Sequence, residues 1–347
     1  MSLTSDITVN PAKFLPSSVT EETDVINAVL EKATSSGPSW TTVGAAEYRA
    51  LGDAGKTAFP PPILVPGAHD IEIPSRDGGR SIPVRVYKPD NGLPSRAVLL
   101  HIHGGGFVLA THRHQDPALQ RYANSFQVTA VSVGYRLAPE NVYPAAAHDC
   151  FDVATHLVDN GESLFGAPLR ILVGESAGGC LAAQTAFHLI RQRPSHPMAG
   201  MVLPYGWFDL TLNLPSMVDF KRQLIISTKS MREFAEAYTP GMSIEERRRP
   251  EVSPLYEDLH GLAKAAAGGK LPRALFLVGT EDPLLDDTVL MSAKWLATGS
   301  EAVVQVYPGA PHVFNIVPGY GPADDAAVVV KKFVGAALDD AEGTLPN

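Results

Sequence analysis

Leu169-Arg170-Ile171-Leu172-Val173-Gly174-Glu175-Ser176-Ala177-Gly178 runs from a short apolar segment through a glycine-flanked turn and opens a helix-like stretch, Ala177 to Arg191. A five-residue run, apolar but for Arg170 and closed by glycine, suits a strand buried on both faces, and the stretch after it suits a helix packed back onto that strand. The unit repeats outward in both directions. Further strands are expected at Ser81–Lys88, Ala97–His103, Val128–Gly134, Gly200–Pro204, Arg273–Gly279 and Ala302–Tyr307. Helices are expected between them at about Gln115–Ser125, Ala145–Asp159, Asp286–Ala297 and Asp324–Leu338. Such alternation implies an α/β fold, a mostly parallel central sheet flanked by helices.

Two regions break the rhythm. Residues 1–60 carry helix-like material at Glu21–Thr34 and Val43–Ala58 before Pro60-Pro61-Pro62, and residues 212–252 carry another helix, about Lys229–Ala237, ended by Pro240-Gly241. Both are expected to fold as a helical cap over the carboxyl end of the sheet, where open α/β sheets place their sites. The expected division is a cap segment at 1–60, a first core part at 61–211, a cap insertion at 212–252 and a second core part at 253–347.

Composition narrows the function classes. The 347 residues are 45% hydrophobic and 19% charged, enough apolar material for one large core. A formal charge of −9 argues against nucleic acid, which needs clustered Lys and Arg. The dense basic run Arg247-Arg248-Arg249 follows Glu245-Glu246 and reads as a solvated helix end. Cys150 and Cys180 lie in expected helices among apolar neighbours, so buried reduced thiols are favoured over a disulfide or a metal site. The first twenty residues hold no apolar core of signal-peptide length, no stretch approaches a membrane span, and the chain closes on Leu345-Pro346-Asn347 rather than an organelle-retention ending. The expectation is a cytoplasmic protein without a membrane partner.

The turn Gly174-Glu175-Ser176-Ala177-Gly178 has the G-x-S-x-G pattern in the strand–turn–helix setting that a nucleophile elbow requires. A strained turn exposes the Ser176 hydroxyl, and the helix behind it directs its amide end at the same point, favouring developing negative charge. The bland alternative is a plain strand-to-helix turn with Ser176 as its cap. A second stretch weighs against it. His103-Gly104-Gly105-Gly106-Phe107 follows the strand Ala97–His103, and three consecutive glycines carry an entropy cost that neither strand nor helix repays. Such a run is useful where backbone N–H groups must approach a ligand closely, as in oxyanion stabilisation. It has neither phosphate-loop pattern, G-x-x-x-x-G-K-[ST] or G-x-G-x-x-G. His112-Arg113-His114 lacks a third ligand at metal-site spacing and reads as a solvated loop.

A serine nucleophile needs a base, and the base an orienting carboxylate, in the chain order Ser, acid, His on this scaffold. Of eleven histidines, only His312 lies beyond the strand Arg273–Gly279, in Pro308-Gly309-Ala310-Pro311-His312. The acid lies in Gly279-Thr280-Glu281-Asp282-Pro283-Leu284-Leu285-Asp286-Asp287, where Asp282 is best placed and Glu281 is its rival. Asp286 and Asp287 look like the first turn of the next helix.

These stretches, with Gly134-Tyr135-Arg136-Leu137-Ala138-Pro139-Glu140 and Asp282-Pro283-Leu284-Leu285-Asp286, resemble the hormone-sensitive-lipase-like carboxylesterases over roughly residues 80–335. Plant carboxylesterases and arylacetamide deacetylases are relatives of that family. The resemblance implies the α/β-hydrolase fold, a triad of Ser176, Asp282 and His312, and an oxyanion hole from the amides of Gly105, Gly106 and Ala177. It implies bracing roles for Tyr135, Arg136 and Glu175, no metal or organic cofactor, and small-molecule esters of short-to-medium acyl length as substrates. A homodimer through the last strand or helix follows only by family analogy. The same scaffold also supports acyl transfer, a dehydratase (lyase) activity, and small-molecule receptors that have lost the histidine; His312 disfavours the last. One departure stands out: the family has His-Gly-Phe where this chain has His312-Val313-Phe314. A β-branched residue resists the backbone angles of glycine, so the loop is expected to be set differently.

Overall fold

The computed structural model describes residues 8–35 and 37–343. The outermost parts of the two expected end segments, residues 1–7 and 344–347, lie outside the described residues, and with them part of the amino-terminal stretch and the whole closing tripeptide Leu345-Pro346-Asn347 read for targeting signals. Eight strands form one sheet in the order β1-β2-β4-β3-β5-β6-β7-β8. They are β1 (His69–Pro74), β2 (Ser81–Tyr87), β3 (Ala97–Ile102), β4 (Val128–Val133), β5 (Leu169–Gly174), β6 (Gly200–Pro204), β7 (Arg273–Glu281) and β8 (Ala302–Pro311). β1 pairs antiparallel with β2, and β2 antiparallel with β4. From β4 onward every pairing is parallel.

Burial follows from that position. Every residue of β3, β4 and β6 is buried, which is why those strands read as continuous apolar runs. β1 was not expected from the sequence: it lies at the sheet edge, and His69, Asp70, Glu72 and Pro74 are exposed. β7 and β8 run past their expected ends, to Glu281 and Pro311.

The amino-terminal helices are α1 (Glu21–Ser35), α2 (Trp40–Val43) and α3 (Ala45–Asp53). The helix expected at Val43–Ala58 is the shorter α3, and Gly44 at φ 91° separates it from α2, which was not expected. Then follow α4 (Asp116–Phe126), α5 (Ala145–Phe165) and α6 (Ala177–Gln192). Between β6 and β7 come α7 (Pro215–Asp219), α8 (Thr228–Tyr238), α9 (Ile244–Arg247) and α10 (Leu259–Ala265). The last two are α11 (Leu285–Ala297) and α12 (Gly321–Gly343).

The sheet separates two apolar clusters. One joins it to α5, α6, α8, α10 and α11, and the other to α4 and α12. α6 packs so closely on β3 that a Cβ on Gly178 would lie 2.0 Å from the Ile102 carbonyl, so only glycine fits there. Cys150 and Cys180 are buried and unpaired. No described helix is long and apolar enough to cross a membrane.

Candidate active site

Three strand ends supply the site. β5 stops at Gly174, and two residues later Ser176 takes φ 56°, ψ −123°, a conformation L-residues reach only under strain. The turn is held on both sides: the Ser176 amide donates to the Pro204 carbonyl at 3.2 Å, and its carbonyl accepts from Trp207 at 3.0 Å. β7 and β8 run parallel with Glu281 opposite Pro311, so the next residues of each strand, Asp282 and His312, emerge side by side.

The side chains meet as the chain order requires. His312 Nδ1 lies 2.8 Å from Asp282 Oδ2, and His312 Nε2 lies 2.9 Å from Ser176 Oγ. The other Asp282 oxygen accepts the Leu284 amide at 2.9 Å, which fixes the carboxylate plane. All three residues are buried. Glu281, the rival acid, instead turns outward to an ion pair with Arg222 at 3.6 Å and does not meet His312.

Facing Ser176 is the glycine loop. A Cβ on Gly104 would lie 3.3 Å from the Ser176 Cβ, so the loop and the turn are in contact. Gly105, Gly106 and Phe107 have φ of 106°, 62° and 63°. The amides of Gly105, Gly106 and Ala177 donate to no group among the described residues. They are therefore free to receive a ligand oxygen. The Gly104 amide is engaged: it donates to Glu175 Oε1 at 2.8 Å. Glu175 also bonds Gln115, and its second oxygen lies 3.1 Å from His101 Nε2. His101 Nδ1 in turn lies 2.9 Å from the Ser132 hydroxyl.

A further set of bonds supports the loop. Tyr135 donates its hydroxyl to the His103 carbonyl at 2.8 Å and stacks on the His103 ring. Burial holds the His103 imidazole well below its ordinary pKa, so the ring stays neutral. Arg136 and Arg80 share the buried carboxylate of Asp149. His112 and His114 are half-buried rather than solvated, because their loop packs under β2 and β4; only Arg113 is exposed, paired with Asp70. Among the described residues no group of three His, Cys, Asp or Glu side chains is placed to hold a metal.

Several contacts at the site were not anticipated. Tyr205 sits edge-on to the His312 ring, with centroids 4.6 Å apart. Asp287 is not merely a helix-start carboxylate: buried, it accepts the amides of Phe208 and Asp209, each at 2.7 Å, and thereby fixes the loop that carries Trp207 beside Ser176. Asp286 similarly accepts the Ser216 amide. The available signal was the aromatic cluster Tyr205-Gly206-Trp207-Phe208 placed directly after β6. Val313 takes φ 55°, ψ 24°. The valine thus adopts left-handed angles that suit glycine, although a β-branched residue resists them. A cleft of about 690 Å³ lined by Arg170, Lys270 and Arg273 opens at the opposite, amino ends of β5 to β8, remote from these groups.

Comparison with known proteins agrees with this architecture. The family described as alpha/beta hydrolase fold matches residues 99–316. The chain is 31% identical over 248 residues to the ethyl acetate hydrolase of Pseudomonas putida, covering 71% of this chain and 74% of that one. It is 32% identical over 259 residues to carboxylesterase NlhH of Mycobacterium tuberculosis, covering 73% and 77%. The solved esterase of Pyrobaculum calidifontis superposes with a TM-score of 0.69 at 28% identity, covering 90% of this chain and 92% of that one. By these matches the chain belongs to the hormone-sensitive-lipase-like family of carboxylic ester hydrolases, built on the alpha/beta hydrolase fold.

Proposed function

We propose that this esterase hydrolyses short-to-medium acyl esters through an acyl-enzyme on Ser176, with His312 as general base and acid and Asp282 as its orienting carboxylate. The observation that carries the reading is the unbroken chain of contacts from Asp282 through His312 to Ser176, at 2.8 and 2.9 Å. In the first half-reaction Ser176 Oγ attacks the ester carbonyl while His312 Nε2 takes its proton. Asp282 holds the Nδ1–H tautomer and stabilises the imidazolium that forms. The carbonyl oxygen becomes an oxyanion and receives the amides of Gly105, Gly106 and Ala177, none of which has a partner among the described residues. His312 then protonates the departing alcohol. Water, deprotonated by the same imidazole, attacks the acyl-enzyme and releases the carboxylic acid, returning Ser176 to its starting state.

In this reading residues 1–60 and 212–252 form the cap, and the core parts are 61–211 and 253–347. No cofactor takes part in any step. The buried aromatic side chains Tyr205 and Trp207 beside Ser176 and His312, and the relative named for ethyl acetate, favour small esters over long-chain lipids. A cytoplasmic setting, a homodimer through β8 or α12 and the lack of a nucleic-acid partner belong to the same proposal.

The test is hydrolysis of p-nitrophenyl esters from acetate to laurate by the wild type and by Ser176→Ala, with an organophosphate adduct located by intact and peptide mass. We expect activity that falls with acyl length, loss of it in the variant, and one adduct on Ser176. Equal hydrolysis by both proteins, or an adduct elsewhere, overturns the reading.

A further inference from the structure

An oxyanion hole sets a structural problem. Amides that must be free to bind the oxyanion cannot be held in place by hydrogen bonds from their own N–H groups. Gly105 and Gly106 are the most permissive residue type, and each sits at positive φ, as does Phe107. For Phe107 this backbone conformation is itself unfavourable. Hydrogen bonds hold the flanks: Glu175 takes the Gly104 amide, and the Phe107 carbonyl accepts from Ala138 at 2.9 Å. The peptide between Gly105 and Gly106 is tied through its carbonyl, which accepts the Val108 and Leu109 amides at 3.1 and 2.8 Å, but the Gly105 and Gly106 N–H groups themselves carry no anchor.

Two rings add a second constraint on the face of these peptides. Phe234 and Tyr238, four residues apart on α8, project from one face of the helix. A Cβ on Gly106 would meet the Phe234 ring at 2.5 Å, so the ring lies directly on that glycine. The Tyr238 ring stacks on Phe107, with centroids 3.9 Å apart and planes within 8°. Both side chains are buried. Behind them, Trp40 of α2 stacks on Phe234 at 5.3 Å, and the Tyr238 carbonyl accepts the Tyr143 amide at 2.8 Å. The Tyr238 hydroxyl is buried without a partner, so the contact that matters is the ring and not its polar end.

We propose that α8 is an aromatic clamp in which Phe234 on Gly106 and Tyr238 on Phe107 hold the Gly105 and Gly106 amides in the geometry that binds the oxyanion. The inference rests on the oxyanion role proposed above for those two glycines. Phe234 and Tyr238 are then positioning residues: they act on the transition state through the loop. The helix between β6 and β7 is therefore part of what makes the site competent, and any movement of it away from the loop releases the oxyanion donors.

The clamp is tested with Phe234→Leu, Tyr238→Leu and Tyr238→Phe, each normalised to active sites titrated with a fluorescent phosphonate. Kinetics are measured on p-nitrophenyl acetate, together with inhibition by a trifluoromethyl ketone whose Ser176 adduct carries an oxyanion. Misplacing the donors should lower kcat on the order of 10–100-fold in both leucine variants, with KM moving by less than about 3-fold. Affinity for the ketone should fall in proportion to kcat/KM. Tyr238→Phe, which keeps the ring, should restore what Tyr238→Leu loses. If the leucine variants keep their kcat on acetate and change only KM or the acyl-length profile, Phe234 is a pocket wall and the clamp is overturned. Unchanged ketone affinity overturns it equally. A wild type that forms no Ser176 adduct instead defeats the prior reading of the site.

Discussion

Glu175 accepts the amide of Gly104 at 2.8 Å, so the residue before Ser176 holds the first glycine of the loop that faces it. The same carboxylate meets His101, whose other ring nitrogen reaches Ser132. One buried side chain thus ties the elbow directly to the loop. Removing it in Glu175→Ala leaves the Gly104 amide buried and unpaired, a cost of about 1–3 kcal/mol. The loop can escape that cost only by moving away from Ser176. We expect kcat/KM to fall by on the order of 10–100-fold in the alanine variant. Glu175→Gln keeps one carbonyl oxygen for Gly104 and should fall less. Steady-state kinetics on p-nitrophenyl acetate decide it, and equal activity of the alanine and glutamine variants would remove Glu175 from this role.

Asp282 and Glu281 are neighbours with opposite surroundings. Asp282 is buried against His312, whereas Glu281 is partly exposed and pairs with Arg222 across 3.6 Å. Asp282→Asn presents an amide where His312 needs an acceptor, which favours the wrong imidazole tautomer; a comparable change in a serine protease lowers kcat by about 10⁴-fold. We expect a loss of at least about 10³-fold here. Glu281→Gln should change kcat by no more than a few-fold. The two variants assayed side by side at pH 8 settle which carboxylate serves the base.

Much of this was legible because the decisive features are local. The central strands are buried on both faces and read as apolar runs, and Ser176 sits in a pattern whose strand and helix flank it directly. Chain order limited the histidine to His312. The sequence favoured Asp282 without excluding Glu281; the register that puts Glu281 opposite Pro311 brings Asp282 beside His312, a relation no spacing along one segment encodes. β1 was missed because an edge strand with exposed His69, Asp70 and Glu72 carries no apolar run. The contacts of Phe234 with Gly106, Trp40 with Phe234 and Asp287 with the Phe208 amide join segments far apart in the chain. No periodicity or motif encodes them, since each depends on how the inserted helices lie on the loops.

Asp287 makes stability depend on pH in an unusual direction. Burial raises its pKa well above the ordinary carboxylate value, with the Asp209 charge adding to the effect, and two backbone amides only partly oppose it. The folded protein therefore keeps the proton at pH values where the unfolded chain has released it. The stability linked to this group is fully present below the unfolded pKa of about 3.9 and is lost as pH rises toward the folded value. Asp287→Asn keeps an oxygen for the Phe208 and Asp209 amides and removes the titration. We expect the variant to melt above the wild type at pH 8, with each 1 kcal/mol worth about 2–4 °C or less in a chain of this size. The gap should narrow as pH falls toward 4. Thermal midpoints across that range provide the measurement, and a gap independent of pH would show that the charge of Asp287 is not its cause.

Val313 follows the candidate base His312 and occupies the left-handed region, at φ 55° and ψ 24°. An L-residue pays roughly 1–2 kcal/mol to stay there, and β-branching does not ease it. Glycine would remove that strain but adds about 0.4–1 kcal/mol of unfolded-state entropy and gives up the partly buried contacts of the valine methyls. These terms nearly cancel, so Val313→Gly should leave the thermal midpoint close to that of the wild type. The contrasting variant is Val313→Pro. Its ring fixes φ near −65° and cannot follow the backbone of this turn, so His312 must shift away from Asp282 and Ser176. We expect Val313→Pro to lose activity in the fraction that remains folded, with Val313→Gly retaining it. Melting curves and phosphonate labelling of Ser176 for both variants report the two effects separately. A large destabilisation in Val313→Gly would mean that packing of the valine side chain, rather than tolerance of backbone strain, accounts for its place beside the histidine.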